Sequence, residues 1–454
     1  MSRWAGRWIE QWDPEDERFW NEGGGRRVAL RNLVYSVLSE HIGFSIWSLW
    51  SVMVLFMGPE YHVDPAGKFF LVAMPTLVGG VLRVPYTFAV ARFGGRNWTI
   101  ASALLLLVPT VTASFVMKPG VSYTTLMLVA ALTGVGGGNF ASSMTNINSF
   151  YPLREKGWAL GLNAGGGNVG VAAIQLVGLL VIATAGATHP RVVLAVYIPL
   201  IVVAAALAAL SMDNLTSVKN DTGAAIDAAK DPHTWIMSVL YIGTFGSFIG
   251  YSFAFGLVLQ NQFGRTPLHA AYLTFIGPLL GSLVRPLGGR LADRFGGGRI
   301  TLWNFLAMAA ATGVVVAASE QKSLGLFLPG FIALFALSGL GNGSAFKMIP
   351  GIFHQKALAK GLTGEAAAAH GRRLSGASMG LIGAVGALGG VGINLAFRES
   401  FLNSHSGTPA FVSFLAYYAV CFAVTWAVYL RRPARTRAGD EHSAPTGAAA
   451  YAEV

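Results

Sequence analysis

The sequence has few charged residues and almost no cysteine. Of its 454 residues, 12% are charged and 53% are hydrophobic, whereas soluble domains average about 25% charged residues. The single cysteine, Cys421, excludes an intrachain disulfide framework and a multi-cysteine zinc site. So low a charge content excludes an ordinary soluble domain and indicates a chain whose main solvent is lipid.

Recognisable catalytic chemistry is also missing from the sequence. We find no Walker loop, no cluster of metal ligands and no nucleophile–base pair. His354 and His370 lie around one inter-helix loop, where they are expected to be surface residues. The sequence therefore predicts a protein that is not an enzyme and that carries neither a metal nor a cofactor.

Long apolar runs dominate what is present, and a spanning helix needs about 20 apolar residues. Twelve such runs, six on each side of a polar segment, lie at 33–57, 69–91, 97–117, 122–146, 157–184, 191–211, 234–258, 268–289, 300–319, 324–348, 374–397 and 409–430. We therefore expect an all-α membrane protein of twelve transmembrane helices. Its predicted parts are an N-terminal segment 1–32, a six-helix half 33–211, a linker 212–233, a second half 234–430 and a disordered tail 431–454.

The positive charge follows the expected loops. The formal net charge is +11, and cytoplasmic loops of membrane proteins carry an excess of Lys and Arg. Most basic residues lie in the two tails and in every second loop. The basic residues of the intervening loops are Lys68, Lys118, Arg191, Arg265, Lys322 and Arg398. This distribution predicts that both termini are cytoplasmic, and it explains the charge without a nucleic-acid partner.

Two stretches of the chain repeat one another. "LRVPYTFAVARFGG" (82–95) and "VRPLGGRLADRFGG" (284–297) each place an arginine, Arg83 or Arg285, nine positions before an Arg-Phe-Gly-Gly turn. Nine helical residues at roughly 1.5 Å each place both arginines near the centre of a hydrocarbon layer about 30 Å thick. Repeated six-helix halves with a site between them are typical of secondary transporters.

The two arginines lack an obvious counter-ion. Spans 2, 4, 5, 7, 8, 10 and 11 contain no interior Asp or Glu, and Glu40, beside His41 on span 1, is the one embedded carboxylate. Two unpaired cations facing one cavity require an anion from outside, and the planar guanidinium fork suits a small oxyanion. Nitrate, phosphate, carboxylate and sulfate remain possible on this ground. A flat ion is favoured by nearby aromatic residues, namely Phe44, Phe140, Phe245 and Tyr241.

Several segments resemble a known family. "GGGNFASSMTNINSFYP" followed by "KGWALGLNAGGGNVGVAAIQ" is similar to the nitrate signature of the nitrate/nitrite porter family of the major facilitator superfamily. "YIGTFGSFIGYSFAF" (241–255) and "GNGSAFKMIP" (341–350) resemble it as well. The likeness runs from about residue 30 to about residue 430.

The resemblance implies the major facilitator fold and transport of nitrate, nitrite or both across a bacterial inner membrane, as in nitrate assimilation. It assigns substrate binding to seven residues: Arg83, Arg285, Asn168, Tyr241, Phe44, Phe140 and Phe245. Asn163 competes with Asn168 for the role of the fifth-helix asparagine. We expect nitrate/nitrite antiport by a monomer in the lipid bilayer.

Other functions remain open at this point. Proton-coupled nitrate symport needs a titratable group near the cavity, for which Glu40 and His41 are the candidates. A nitrate sensor without net transport and a transporter for another small oxyanion are further alternatives.

Overall fold

A computed structural model describes residues 7–431, and these are almost entirely helical. Within this range, eleven continuous helices are long and apolar enough to cross a membrane, and a bent pair makes a twelfth if it counts as one span. We label them α1 to α12, with bounds Gly25–Trp47 continued by Leu49–Phe56, Pro65–Phe93, Gly95–Val116, Tyr123–Phe150, Leu153–Ala185, Pro190–Ser211, Pro232–Phe263, Pro267–Phe295, Gly297–Glu320, Leu324–Ala359, Gly364–Ser404 and Thr408–Leu430. The predicted all-helical architecture is confirmed. The predicted disordered tail, beyond residue 431, lies outside the described residues.

The sequence repeat extends to the residues at which helices α2 and α8 begin and end. The side chain of Asp64 caps α2 and that of Thr266 caps α8, and a proline follows each cap. The two helices end at Gly94 and Gly296, with φ of 87° and 88°, a conformation that glycine adopts without steric cost. Since the caps match residue for residue, the two arginines stand at the same level of their helices.

The two halves meet tightly on the face of the bundle that lies away from the termini, which we call the distal face. Phe69 of α2 stacks on Phe397 and Phe401 of α11, with ring centroids 5.4 and 5.2 Å apart. The side-chain amide of Gln175 on α5 donates to the carbonyl of Ser252 on α7 at 2.8 Å. These contacts between halves close the distal face.

Several glycines toward the opposite ends of these helices stand in open space. A side chain built at Gly161 or Gly165 of α5, Gly289 of α8 or Gly376 of α11 would meet no other atom within 4 Å. These four positions therefore stand in open space, whereas the distal ends of the halves are in contact.

The linker between the halves is structured. Its strand Asn214–Leu215 pairs in parallel with Trp8–Ile9 of the N-terminal segment, and a helix follows at Thr222–Lys230. Arg373 at the start of α11 forms a 2.5 Å ion pair with Asp221 of the linker. The linker is thus attached to both halves at the terminal face.

Candidate anion site between the halves

Arg83 is fully buried at the interface of the halves. Its Nε donates to the carbonyl of Gly137 on α4 at 3.2 Å, and its Nη1 donates to the carbonyl of Gly383 on α11 at 2.8 Å. The guanidinium carbon lies 4.5 Å from the ring centroid of Phe140 and 4.8 Å from that of Phe245. Two backbone acceptors and two aromatic faces therefore fix the fork in place.

Arg285 reaches the same cluster from the other half. It is 6% exposed, and its Nη2 donates to the hydroxyl of Tyr241 at 3.4 Å. The ring of Tyr241 stacks on that of Phe245 at 5.4 Å, which places Phe245 against both arginine environments. The structure thus brings Arg83, Arg285, Tyr241, Phe140 and Phe245 together.

Neither arginine forms an ion pair with a carboxylate anywhere in residues 7–431. One nitrogen of each fork, Nη2 of Arg83 and Nη1 of Arg285, is buried without a hydrogen-bond partner. Buried polar groups are nearly always paired, and a buried charge without a partner is costly. Each free nitrogen therefore marks a position where an acceptor with negative charge would be stabilised.

Aromatic rings lie beside the guanidinium of Arg83. Phe140 and Phe245 lie 6.1 Å apart with planes inclined by 27°, and Phe44 continues the cluster at 6.1 Å from Phe140. Phe245 belongs to a short π-helical stretch of α7, Ile242–Gly246, and such stretches often occur at functional sites. A surface made of ring faces accommodates a planar ligand more readily than a bulky one.

Asn168 and Asn163 have different surroundings. Asn168 is 1% exposed, and its side-chain oxygen has no hydrogen-bond partner. No hydrogen bond joins it to the arginine cluster within the described part of the chain. Asn163 instead donates to Glu40 Oε2 at 2.7 Å and contacts the hydroxyl of Ser143. The amide nitrogen of Asn163 is therefore bonded to another cluster, while the side-chain oxygens of both asparagines are buried without a partner.

Glu40 and His41 form no hydrogen bond or ion pair with Arg83 or Arg285 in residues 7–431. Oε2 of Glu40 accepts from the Ser143 hydroxyl and from Asn163, while Oε1 has no partner. Nδ1 of His41 lies 3.2 Å from the carbonyl oxygen of Gly166 on α5. No group of three or more His, Cys, Asp or Glu residues in residues 7–431 could hold a metal ion.

The sequence analysis did not predict four contacts of the two arginines. The indole of Trp47 lies 5.3 Å from the Arg83 guanidinium carbon, and the ring of Phe346 lies 5.9 Å from that of Arg285. Trp47 stands three residues after Phe44, on the same helix face, and Phe346 lies in the quoted segment 341–350, so both could have been found. The carbonyls of Gly137 and Gly383 carry no side-chain signal.

Comparison with known proteins gives a family match over most of the chain. The model of the "Major Facilitator Superfamily" matches residues 41–393. The "Nitrate/nitrite transporter NarU" of Salmonella typhimurium is 38% identical over 93% of this chain and 96% of its own length. NarU of Escherichia coli is 36% identical over the same shares. The "Probable nitrate/nitrite antiporter NarK2" of Thermus thermophilus is 31% identical over 94% of this chain and 98% of its own.

Solved structures agree on the fold. A D-xylose–proton symporter covers 88% of this chain and 96% of its own, with a TM-score of 0.63 and 16% identity. A partially occluded, inward-open structure of the xylose transporter XylE from E. coli covers 88% and 97%, with a TM-score of 0.65 and 13% identity. At such identities the likeness concerns the fold alone.

Proposed function

The chain belongs to the Major Facilitator Superfamily and, within it, to the nitrate/nitrite porter family, and from this membership we propose that it exchanges nitrate for nitrite by alternating access. It is a multi-pass protein of the bacterial inner membrane and a transporter, not an enzyme. The exchange mode has support in the name of the Thermus relative, a probable antiporter. The proposed orientation has both termini in the cytoplasm, and the functional unit is the monomer.

The observation that carries the proposal is the pair of free nitrogens. Nη2 of Arg83 and Nη1 of Arg285 are buried, positively charged and without partners. One small oxyanion between them would accept a hydrogen bond from each fork, and charge-assisted hydrogen bonds are among the strongest in proteins. The ring faces of Phe140 and Phe245 would bound a planar ion, and the side-chain amide N–H of Asn168 would donate a further hydrogen bond.

The same charges explain why reorientation would need a substrate. With the site empty, closing both faces encloses two like charges at low dielectric, which is unfavourable. A bound monoanion offsets part of that repulsion and stabilises the occluded state. A ligand shifts such an equilibrium only by its differential affinity for the two states. An empty carrier would therefore return slowly, and exchange would be faster than net flux.

The test is exchange by purified protein in liposomes, with nitrite inside and isotopically labelled nitrate outside, at clamped pH and voltage. We expect rapid uptake of label that stops when internal nitrite and nitrate are removed. Binding of nitrate without any counterflow would instead indicate a sensor. Equal competition by sulfate or phosphate would indicate a transporter for another oxyanion.

Proton-coupled symport is the second candidate, and the burial of Glu40 with one free carboxylate oxygen favours it. Symport predicts uptake into nitrite-free liposomes that is driven by a proton gradient and lost in Glu40→Gln. Antiport predicts exchange that continues without a gradient and survives the same substitution. His41→Gln tests the neighbouring titratable group in the same assay.

A further inference from the structure

A small polar cavity lies between α1, α3 and α4, apart from the arginine pair. It is lined by Ser36, Ser39, Glu40, Thr99, Ser102, Asn139, Ser142 and Ser143. Every lining side chain carries oxygen, and one of them is a carboxylate. Polar groups buried inside an apolar bundle are costly unless each of them has a hydrogen-bond partner.

Most hydroxyl groups that line the cavity already donate their one hydrogen to another group of the protein. Ser142 donates to the Asn139 carbonyl at 3.1 Å, and Thr99 donates to the Gly95 carbonyl at 2.8 Å. Three further donations run from Ser102 to the Thr99 carbonyl, from Ser36 to Ser143 and from Ser143 to Glu40. Because a hydroxyl has one hydrogen and two lone pairs, these five groups can offer an occupant only acceptors.

Three further oxygens have no partner at all. They are Oγ of Ser39, Oδ1 of Asn139 and Oε1 of Glu40, and each of these residues is at most 5% exposed. Glu40 forms no ion pair within residues 7–431. The site thus combines an excess of acceptors with a carboxyl group that has no counter-ion when it is ionised, and a bound cation would satisfy both.

We propose that this cavity binds one sodium ion. A single carboxylate neutralises a monovalent ion, whereas a divalent ion would leave a net buried charge. A proton on Glu40 would cancel its charge and supply one O–H donor, which can satisfy only one of the free oxygens of Ser39 and Asn139. A water molecule would supply hydrogens but no charge. Oxygen ligands are those that hard cations prefer, and serine and asparagine oxygens suit an ion that carries one charge.

Sodium at this site would also affect the anion site, a coupling that rests on the proposed function. The charge of Glu40 interacts electrostatically with Arg83 and Arg285. Neutralising Glu40 therefore raises the positive potential at the arginine pair and strengthens anion binding there. By linkage, the anion must strengthen sodium binding by the same factor.

The test is equilibrium binding of radioactive sodium to the purified full-length protein in choline chloride, without nitrate. We expect saturable binding of one ion per chain that unlabelled sodium displaces and potassium does not. Glu40→Gln abolishes it, while the matched variant Glu320→Gln, at an exposed carboxylate, retains it. Ser39→Ala keeps the charge and weakens binding several-fold, which tests the site even if Glu40→Gln misfolds.

Two results would overturn the proposal. One is the absence of saturable sodium binding to the wild type. This includes the outcome in which nitrate binding is accompanied by uptake of a proton and sodium does not bind. The other is sodium binding that persists unchanged in Glu40→Gln and in Ser39→Ala. Arg285→Lys separates this proposal from the transport scheme, because it should keep sodium binding while losing nitrate. Failure of nitrate transport alone would leave the sodium site standing.

Discussion

The hydroxyl of Tyr241 accepts a hydrogen bond from Nη2 of Arg285 at 3.4 Å. Its ring simultaneously stacks on Phe245, whose face lies below the guanidinium of Arg83. One side chain therefore aligns one arginine directly and the other through an intervening ring.

Tyr241→Phe should keep the stacking and lose the alignment of Arg285. A hydrogen bond to a charged group contributes about 1.5–3 kcal/mol, so we expect nitrate affinity to fall by at least roughly tenfold. Isothermal titration of the purified protein measures it. Tyr417→Phe is the control, because the Tyr417 hydroxyl donates to the Val239 carbonyl and to neither arginine. Wild-type affinity in Tyr241→Phe would remove this residue from the site.

Arg83→Lys and Arg285→Lys should each abolish uptake without loss of folding. An ammonium keeps the charge but cannot donate from a planar fork, so Arg83→Lys would lose either the bonds to Gly137 and Gly383 or the contact to the anion. Liposome exchange measures the loss, and size-exclusion profiles report folding. Arg398→Lys, at a partly exposed arginine, should transport normally. Normal uptake by either site variant would contradict the two-arginine scheme.

Asn168→Ala and Asn163→Ala distinguish the two asparagines of α5. Removing Asn168 deletes a proposed anion contact, so affinity should fall by an amount corresponding to roughly 1–3 kcal/mol. Removing Asn163 leaves Glu40 with one donor fewer and should lower the thermal unfolding midpoint more than it lowers nitrate affinity. The reverse ranking in nitrate titrations and melting curves would show that the sequence match chose the wrong asparagine.

The apolar runs and the repeat predict the fold well, because a helix that crosses a lipid bilayer needs a long run of apolar residues. The spacing of nine residues predicted matching positions for Arg83 and Arg285 on their helices, and the matching end caps of α2 and α8 agree with this. Helix ends were predicted less well: α11 begins at Gly364 rather than near 374, since helices continue into water where apolar composition gives no signal. Phe346 was missed although its segment was recognised, because contacts between helices depend on rotation about each axis.

The distal face gives the last prediction. Phe69 stacks on Phe397 and Phe401, and such pairs contribute about 0.5–1.5 kcal/mol each beyond burial. Phe69→Ala should therefore favour opening of that face. A single reporter cysteine is available, since Cys421→Ala removes the native thiol and Thr76→Cys, at a buried position on α2, introduces another.

In detergent, a thiol-reactive dye should label the Thr76→Cys reporter on the order of tenfold faster when Phe69→Ala is added, given a weakening of about 1.4 kcal/mol. Nitrate should slow the labelling in the Phe69-containing protein, because occlusion closes the distal face over the bound ion. Phe115→Ala, at an exposed lipid-facing position, should leave the rate unchanged. Equal rates in the Phe69→Ala and parent proteins, both folded, would show that these rings do not hold the face closed. The closing energy would then have to come from polar contacts such as that of Gln175 with Ser252.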